Sequence, residues 1–310
     1  MKKIAFLILF LFSLSPWVRS EVALATGLLW AFLFQNPFPA DLTKKFQGRL
    51  LQGSVVGLGF SIQLGVVLST GSSSLGMTAG SIAGTFLLGF FLSRVIRVPN
   101  KMQVLVSSGT AICGGSAIAA VGPVISADRT EMSMSLAVVF ILNSVALLIF
   151  PSLGHWAGFS QEQFGLWAAL AIHDTSSVVG AASSFGPVAL GHATTVKLVR
   201  ALWILPLCLV IGFGFQFLGQ KNRSAKVPFP WFIFGFLAAS GLSSFVPQWE
   251  SVWKMISTIS RHALVGSIFL IGAAMDPATI KKSGAAVVGY GTILWVLVGT
   301  LSFLFVKANG

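Results

Sequence analysis

The chain of 310 residues is 55% hydrophobic and only 9% charged, and its mean hydropathy is +0.87. Soluble domains carry roughly 25% charged residues, so 20 basic and 8 acidic side chains are too few to coat a soluble globule of this length. The composition excludes an ordinary soluble enzyme, a disordered chain and a small disulfide-stapled secreted domain. It predicts an all-α, polytopic membrane protein.

Apolar runs follow one another along the whole chain, and a membrane-spanning helix needs about 20 such residues. We predict about eleven spans on that rule. They cover residues 4–18, 22–36, 48–69, 75–96, 101–126, 131–153, 163–185, 195–219, 228–246, 252–275 and 283–306. Because Lys2 and Lys3 precede the short first span, it also resembles a signal peptide with a cleavage site at Ala23-Leu24-Ala25. We favour a retained helix, since cleavage there would remove the start of the second span.

The net charge of +12 comes from basic residues in the short segments between apolar runs. This distribution is typical of topology signals rather than of nucleic-acid binding, so no nucleic-acid partner is expected. Most of these residues, among them Lys44, Lys45 and Arg49, fall on the side that holds the N-terminus. We predict a multi-pass protein of the inner (cytoplasmic) membrane, and the positive-inside rule predicts a cytoplasmic N-terminus.

Two parts of the chain share short motifs. Gly27-Leu28-Leu29-Trp30-Ala31 in span 2 parallels Gly165-Leu166-Trp167-Ala168-Ala169 in span 7, although glycine-rich membrane helices also resemble one another by chance. We predict an extra helix in residues 1–21 and two five-helix units in residues 22–154 and 155–310. An odd number of helices per unit inverts the second copy in the membrane, as in many secondary transporters.

Span 5 carries small and hydroxyl residues at its centre, namely Ser107, Ser108, Thr110, Gly114, Gly115 and Ser116. Glycine costs about 1 kcal/mol relative to alanine in a helix interior, so the adjacent glycines predict a break. The half-helix that starts near Ser116 would aim unpaired amides and a positive dipole end at mid-membrane, which suits an anion. The alternative is that these small residues serve tight helix packing.

Span 10 is predicted to contain a second break, at Gly266-Ser267, whose half-helix would face the first. Arg261 in the same span either faces a polar cavity or reaches outward to the membrane surface, because a charge at mid-membrane is costly. Asp276 is expected to cap the next helical piece.

Span 7 places His173 and Asp174 well inside an apolar helix, and ionisable residues at that depth are functional candidates by default. The pair could carry a coupling proton. The alternative is that Asp174, which precedes Thr-Ser-Ser, caps a short helix. Lys197 and Arg200, one turn apart at the start of span 8, either supply positive potential for an anion or anchor the helix at the membrane surface.

No cofactor or metal is expected. Cys113 and Cys208 lie in apolar segments as small packing residues, and the four histidines lack ligand-like spacing. The chain has no nucleotide-binding loop, so direct coupling to ATP is not expected.

Three of these segments resemble the hallmarks of a known family. Thr110-Ala-Ile-Cys113-Gly114-Gly115-Ser116-Ala-Ile-Ala-Ala-Val-Gly-Pro-Val-Ile closely resembles the first hallmark of the YeiH-like family of proposed sulfate exporters, a family of conserved hypothetical membrane proteins. Ala-Ile-His173-Asp174-Thr-Ser-Ser-Val-Val-Gly-Ala-Ala is similar to the second. Lys197-Leu-Val-Arg200 followed by Leu-Trp-Ile-Leu-Pro206 is similar to the third. The resemblance covers residues 25–305.

The resemblance implies a fold similar to the superfamily of bile-acid–sodium symporters and cation–proton antiporters, in which the fourth helix of each five-helix repeat is broken. By that analogy, spans 4–6 and 9–11 form a mobile core, and spans 2, 3, 7 and 8 form a panel. The paired acidic residues typical of sodium–proton antiporters are absent from span 5, which argues against cation exchange.

We therefore predict a secondary transporter, not an enzyme, that exports sulfate or a related small inorganic or sulfonated anion by elevator-like alternating access. The predicted substrate-binding residues are Ser107, Ser108, Thr110, Gly114, Gly115, Ser116, Arg200, Arg261 and Ser267. Asp174 and His173 are the predicted coupling residues, and the coupling ion is left open between H⁺ and Na⁺. The alternatives are a Na⁺-coupled importer of organic anions, an ion–proton antiporter and, more remotely, an intramembrane serine hydrolase built on Ser116 with His173 or His155. A homodimer is left open.

Overall fold

A computed structural model describes residues 2–18, 20–34, 36–217, 231–274 and 284–309, and every helix in these ranges is named here. The α-helices are α1 (Lys2–Ser13), α2 (Ser20–Phe34), α3 (Ala40–Leu58), α4 (Leu64–Ile96), α5 (Asn100–Ala111), α6 (Gly115–Val124), α7 (Arg129–Trp156), α8 (Gln161–Ala171), α9 (Thr175–Phe185), α10 (Pro187–Leu202), α11 (Ile204–Phe217), α12 (Trp231–Phe245), α13 (Glu250–Ala273) and α14 (Ala285–Asn309). Two short 3₁₀ turns, Gly59–Ser61 and Pro247–Trp249, complete the fold. The predicted all-α class is confirmed for these ranges.

Five stretches of the described chain are long and apolar enough to cross a membrane. They are Leu64–Ile96, Thr130–Trp156, Pro187–Phe215, Pro247–Ala273 and Ala285–Asn309. Several predicted spans correspond to shorter helices, or to pairs such as α5–α6 and α8–α9 that are interrupted midway. The count of eleven spans, the inverted repeat, the domain limits and the retention of the first helix stay predictions. Asp276 lies outside the described residues.

The boundary between the third and fourth spans was predicted wrongly. The serine-rich segment around residues 69–75 is not a loop but the interior of α4, and the connection lies at residues 59–63 instead. The Ser69, Ser72 and Ser74 hydroxyls donate to carbonyls one turn earlier in the same helix, at 3.0–3.1 Å. Serine is therefore accommodated in a membrane helix because the helix itself supplies its hydrogen-bond acceptor.

Two of the helices that flank the centre begin with capping boxes. Asp128 accepts from the Glu131 amide at 2.7 Å, while the Glu131 carboxylate accepts from the Asp128 amide at 2.8 Å. Ser160 and Gln163 repeat this exchange at the start of α8. These caps satisfy amides that a helix start leaves open, so α7 and α8 begin at defined residues.

The helices pack in two groups. The peripheral group contains α1, α2, α3, α12 and α13, with α13 lying against α1, α2 and α3. The inner group contains α4 to α11 and α14, in which α10 packs on α4, α8 and α9, and α14 packs on α4, α7 and α8. In this packing, spans 7 and 8 lie with spans 4–6, whereas spans 9 and 10 lie with spans 2 and 3. The partition into a mobile core and a panel, which was taken from the superfamily analogy, stays a prediction.

Candidate functional site: a junction of two interrupted helices

The first interruption separates α5 from α6 at residues 112–114, as the adjacent glycines predict. Gly114 has φ +65° and ψ −122°, a conformation that L side chains rarely adopt. Its amide donates to the Gly109 carbonyl at 2.8 Å, which closes the end of α5. Glycine is therefore required at this position by the backbone itself, and the predicted break in span 5 is confirmed.

The second interruption lies in span 7, at residues 172–174, and not in span 10. Ile172 is extended (φ −88°, ψ 134°), and Asp174 is the N-cap of α9. Its carboxylate accepts from the Ser177 amide and the Ser177 hydroxyl, both at 2.9 Å, and from the Ser176 hydroxyl. The capping interpretation of Asp174 is thus confirmed. This interruption is formed with polar side chains, whereas the first one is formed with glycines.

The predicted break at Gly266-Ser267 is wrong. α13 is continuous from Glu250 to Ala273, and the Ser267 hydroxyl donates to the Leu264 carbonyl at 2.7 Å within the helix. Gly266 instead makes room for a neighbour, since a Cβ there would lie 2.4 Å from a side-chain carbon of Leu14. In this helix the glycine serves close packing.

The two interruptions meet, and we call residues 112–114 and 172–174 the junction. A Cβ on Gly114 would lie 3.2 Å from Asp174 Cβ and 3.3 Å from the Asp174 amide nitrogen. His173 Nε2 lies 3.0 Å from Thr110 Oγ1, so the His173 side chain crosses from one interrupted helix to the other. The amides of His173 and Asp174 donate to Asn143 Oδ1 on α7 at 3.1 and 3.2 Å. Three inner helices therefore share one polar centre.

Two buried cations close the carbonyl ends of the interrupted helices. Arg200 donates through one terminal nitrogen to the Ala169 and Leu170 carbonyls of α8, at 2.6 and 2.7 Å, and through the other to the Ala111 carbonyl of α5. Lys197 Nζ donates to the Ile172 carbonyl at 2.7 Å and to the Ala169 carbonyl at 3.3 Å. Both side chains are 0% exposed. Because helix carbonyl ends are electronegative, the cations neutralise them in the interior.

The amino ends of the two following half-helices differ. α9 is capped by the Asp174 carboxylate, whereas α6 begins at Gly114 without a side-chain cap. Gly115 is half-buried and Ser116 is exposed. The first turn of α6 therefore keeps amides that a ligand could satisfy.

The other predicted substrate-binding residues lie outside the junction. Ser107 lies one turn before Thr110 and hydrogen-bonds the Tyr290 hydroxyl at 2.8 Å, while Ser108 donates to the Val104 carbonyl at 2.6 Å. Arg261 is exposed on α13, as expected for a side chain that reaches to the membrane surface, and Ser267 is buried within the peripheral group. The junction thus gathers Thr110, Gly114, His173, Asp174 and Arg200, with Gly115 and Ser116 beside it.

Sequence reasoning missed Asn143 and Tyr290 altogether, and it left the role of Lys197 open. Asn143 stands alone between Ile-Leu and Ser144 in a strongly apolar span, which was the available signal. Tyr290 is the sole tyrosine of the chain, is fully buried, and joins α14 to α5 through Ser107. Neither position carries a local motif, so only the packing of the helices connects them to the centre.

The geometry bears on two other expectations. His173 Nε2 faces Thr110, and the His155 ring stacks on Phe185 with centroids 4.2 Å apart, so neither is paired with Ser116 in the described structure. The serine–histidine pair that a hydrolase would need is not formed there. Within the same ranges, no group of three or more His, Cys, Asp or Glu side chains could hold a metal ion.

Two grooves on the outside of the bundle are distinct from the junction. One, of about 350 Å³, lies between α4 and α14 next to Gly80, Gly84 and Ser302. The other, of about 270 Å³, is lined by aromatic side chains that include Trp167 and Trp295. Their walls are mainly apolar and open outward, as expected of surfaces that face lipid chains.

The fold and the junction together define an all-helical membrane protein with two interrupted helices at its centre. Residues 4–291 match the model of a family described as conserved hypothetical protein 698. A UPF0324 membrane protein of Vibrio parahaemolyticus is 46% identical over 301 residues, which cover 97% of both chains. A relative from Bdellovibrio bacteriovorus is 45% identical over 96% of this chain and 92% of its own length, and one from Geobacter sulfurreducens is 41% identical over 97% and 95%.

The chain belongs to the UPF0324 family of membrane proteins. The resemblance drawn from the three motifs is thereby confirmed. No solved structure matches the chain.

Proposed function

We propose that this protein is a secondary transporter of the cytoplasmic membrane that exports a small inorganic or sulfonated anion, with sulfate as the reference substrate. The observation that carries the proposal is the junction, where the uncapped amino end of α6 lies beside a second interrupted helix. Interrupted membrane helices whose positive ends face an anionic substrate are a recurring feature of secondary transporters.

The balance of buried charge supports an anion. Two basic side chains, Lys197 and Arg200, lie at the junction with one acidic side chain, Asp174. The partners of both basic side chains in the described structure are carbonyls, and neither forms a salt bridge there. Uncompensated charge in a low-dielectric interior is costly, so a bound anion would stabilise the site.

The hydrogen-bond directions at His173 support a role in proton coupling. The Thr110 hydroxyl donates to the Val106 carbonyl at 2.9 Å, so its oxygen accepts from His173 Nε2–H. In the neutral ring, Nδ1 then carries the lone pair, and it has no partner in the described structure. We assign the coupling proton to His173 Nδ1, while Asp174, whose oxygens the start of α9 occupies, holds the loop in place.

Alternating access further requires one body to move against another. We propose that the inner group, which carries the junction, moves relative to the peripheral group. The junction would then face the two sides of the membrane in turn.

Flux measurements in proteoliposomes test this function. Vesicles with purified protein and protein-free vesicles are loaded with radiolabelled sulfate, sulfite, thiosulfate or taurine, with and without sodium and a pH gradient. We expect protein-dependent flux of at least one anion, accelerated by a pH gradient and indifferent to sodium. His173→Gln should remove the acceleration by pH, and Asp174→Asn should retain it. Equal flux with and without protein for every anion would contradict the proposal, and a strict sodium requirement would favour the alternative importer.

A further inference from the structure

Asn143 presents a buried hydrogen-bond donor at the junction. Its side chain is 2% exposed, and its Oδ1 accepts from the His173 and Asp174 amides. Both partners are N–H donors, so the atom that faces them is the oxygen, and the orientation of the amide is determined. The Nδ2 group, which offers two hydrogens, has no partner among the described residues.

Asn143 lies close to the start of α6. The Asp174 amide that Asn143 holds lies 3.3 Å from the Cβ position of Gly114, the N-cap of α6. Val139, one turn before Asn143 on the same face of α7, lies 3.2 Å from that same position. The adjacent Phe140 ring lies 3.3 Å from the Cβ position of Gly115. The part of α7 that carries Asn143 therefore packs against the start of α6.

We propose that Asn143 Nδ2 donates a hydrogen bond to an oxygen atom of an oxyanion bound at the amino end of α6, which makes Asn143 a substrate-binding residue. This inference rests on the proposed function, and it narrows the substrate class to anions with oxygen acceptors. A buried N–H₂ group without an acceptor costs free energy, and an anion oxygen would remove that cost. The two bonds to Oδ1 hold the donor in position before the anion arrives, so little ordering is needed on binding.

A purely structural role is the competing explanation, because Oδ1 alone would fix the loop at residues 173–174. Asn143→Asp separates the two roles. An aspartate keeps an oxygen for the His173 and Asp174 amides, and it replaces the free donor with an acceptor. The variant should therefore hold the loop at residues 173–174 as the wild type does and differ in its hydrogen bond to the anion.

The experiment compares sulfate with hydrogenphosphate at a pH where both carry two negative charges. The added carboxylate repels both dianions equally over distance, so repulsion cancels in the ratio of their affinities. At close range, sulfate offers only acceptors to the aspartate, whereas the hydroxyl of hydrogenphosphate can donate to it. We expect the sulfate-to-phosphate affinity ratio of Asn143→Asp to fall at least about tenfold from that of the wild type, as for one hydrogen bond to a charged group.

Asn309→Asp is the matched control, because it adds the same charge at the exposed end of α14 and should leave the ratio unchanged. Affinities are measured by titration calorimetry on purified protein. If the wild type binds sulfate and the ratio is the same in Asn143→Asp, the assignment of Asn143 is overturned while the anion site stands. If the wild type binds neither anion, the proposed function fails together with the inference.

A measurement on the wild type keeps the inference testable even if Asn143→Asp does not fold. The chain has five asparagines, so protein labelled with ¹⁵N only at asparagine gives few side-chain amide signals. The signal of Asn143 is assigned by substituting the other four in turn. Sulfate should shift this signal with the same affinity as calorimetry reports. An unshifted signal at saturating sulfate would overturn the inference.

Discussion

The two interruptions at the junction are made by different chemistry. At residues 112–114, Gly114 turns the chain through a conformation that L side chains rarely adopt, and the following helix starts without a side-chain cap. At residues 172–174, the chain stays in ordinary extended conformations and Asp174 caps the next helix. Both carbonyl ends are closed by the same Arg200. The break built on glycine therefore leaves its amino end free, whereas the break built on a carboxylate has its amino end occupied.

The comparison shows why the first break is the better candidate for ligand binding. A helix start that already holds a carboxylate gains little from a second anion, because the charges repel and the amides are taken. The start of α6 holds no carboxylate, and its N-cap, Gly114, has no side chain that could bind the amides. We therefore place the proposed anion site at α6 and propose that α9 positions His173.

Removal of the shared cation should have the largest effect. Arg200→Leu would leave the carbonyl ends of α5 and α8 unsatisfied at once, so we expect a loss of about 3 kcal/mol or more in the free energy of unfolding. Arg200→Lys should lose less, since an ammonium group can still reach one end. Denaturation in detergent measures both, and a wild-type unfolding curve for Arg200→Leu would show that the cation does not hold the two breaks.

Substitution of Gly114 by alanine should cost about 2 kcal/mol, because a side chain there must adopt a strained conformation. Gly80→Ala on α4 is the matched control, since its Cβ position is open and alanine favours the helix. Thermal unfolding of the two variants should change in opposite directions. Equal stability of Gly114→Ala and wild type would show that the backbone at the first break does not require glycine.

Substitution of Asp174, the cap of the second break, should reduce the free energy of unfolding by a smaller amount. Asp174→Ala is expected to cost about 1 kcal/mol, the usual effect of losing an N-cap, and Asp174→Asn should cost less because its oxygen still accepts from the Ser177 amide. Unfolding curves of the two variants test this order. A larger loss for Asp174→Asn than for Asp174→Ala would mean that the charge, and not the cap, matters at this position.

The smallest effect is expected at the position that was wrongly predicted to be a break. Ser267→Ala removes one hydrogen bond within the continuous α13, so stability should change by less than about 1 kcal/mol and anion flux should stay at the wild-type rate. A strong loss of flux with normal stability would restore Ser267 to the binding site.

Much of this arrangement was predictable from local pattern. Gly114-Gly115 predicted the first break, and Asp174 before Thr-Ser-Ser was interpretable as a helix start because caps depend on neighbouring residues only. The pairing of the two breaks was not predictable, since Gly266-Ser267 resembles Gly115-Ser116 in composition and differs only in what packs against it. The same holds for Asn143, whose partners are 30 and 31 residues away along the chain. Contacts of that kind are determined by helix packing, which cannot be predicted from the residues next to each position in the sequence.

The proposed function requires that water and the anion reach the start of α6. Ser116→Cys, in a chain whose two native cysteines are replaced by alanine, tests it through labelling with an anionic methanethiosulfonate that does not cross lipid. Ser267→Cys serves as the buried control. We expect labelling at position 116 that sulfate slows, and none at position 267. Absence of labelling at 116, or labelling that saturating sulfate leaves unchanged, would contradict it.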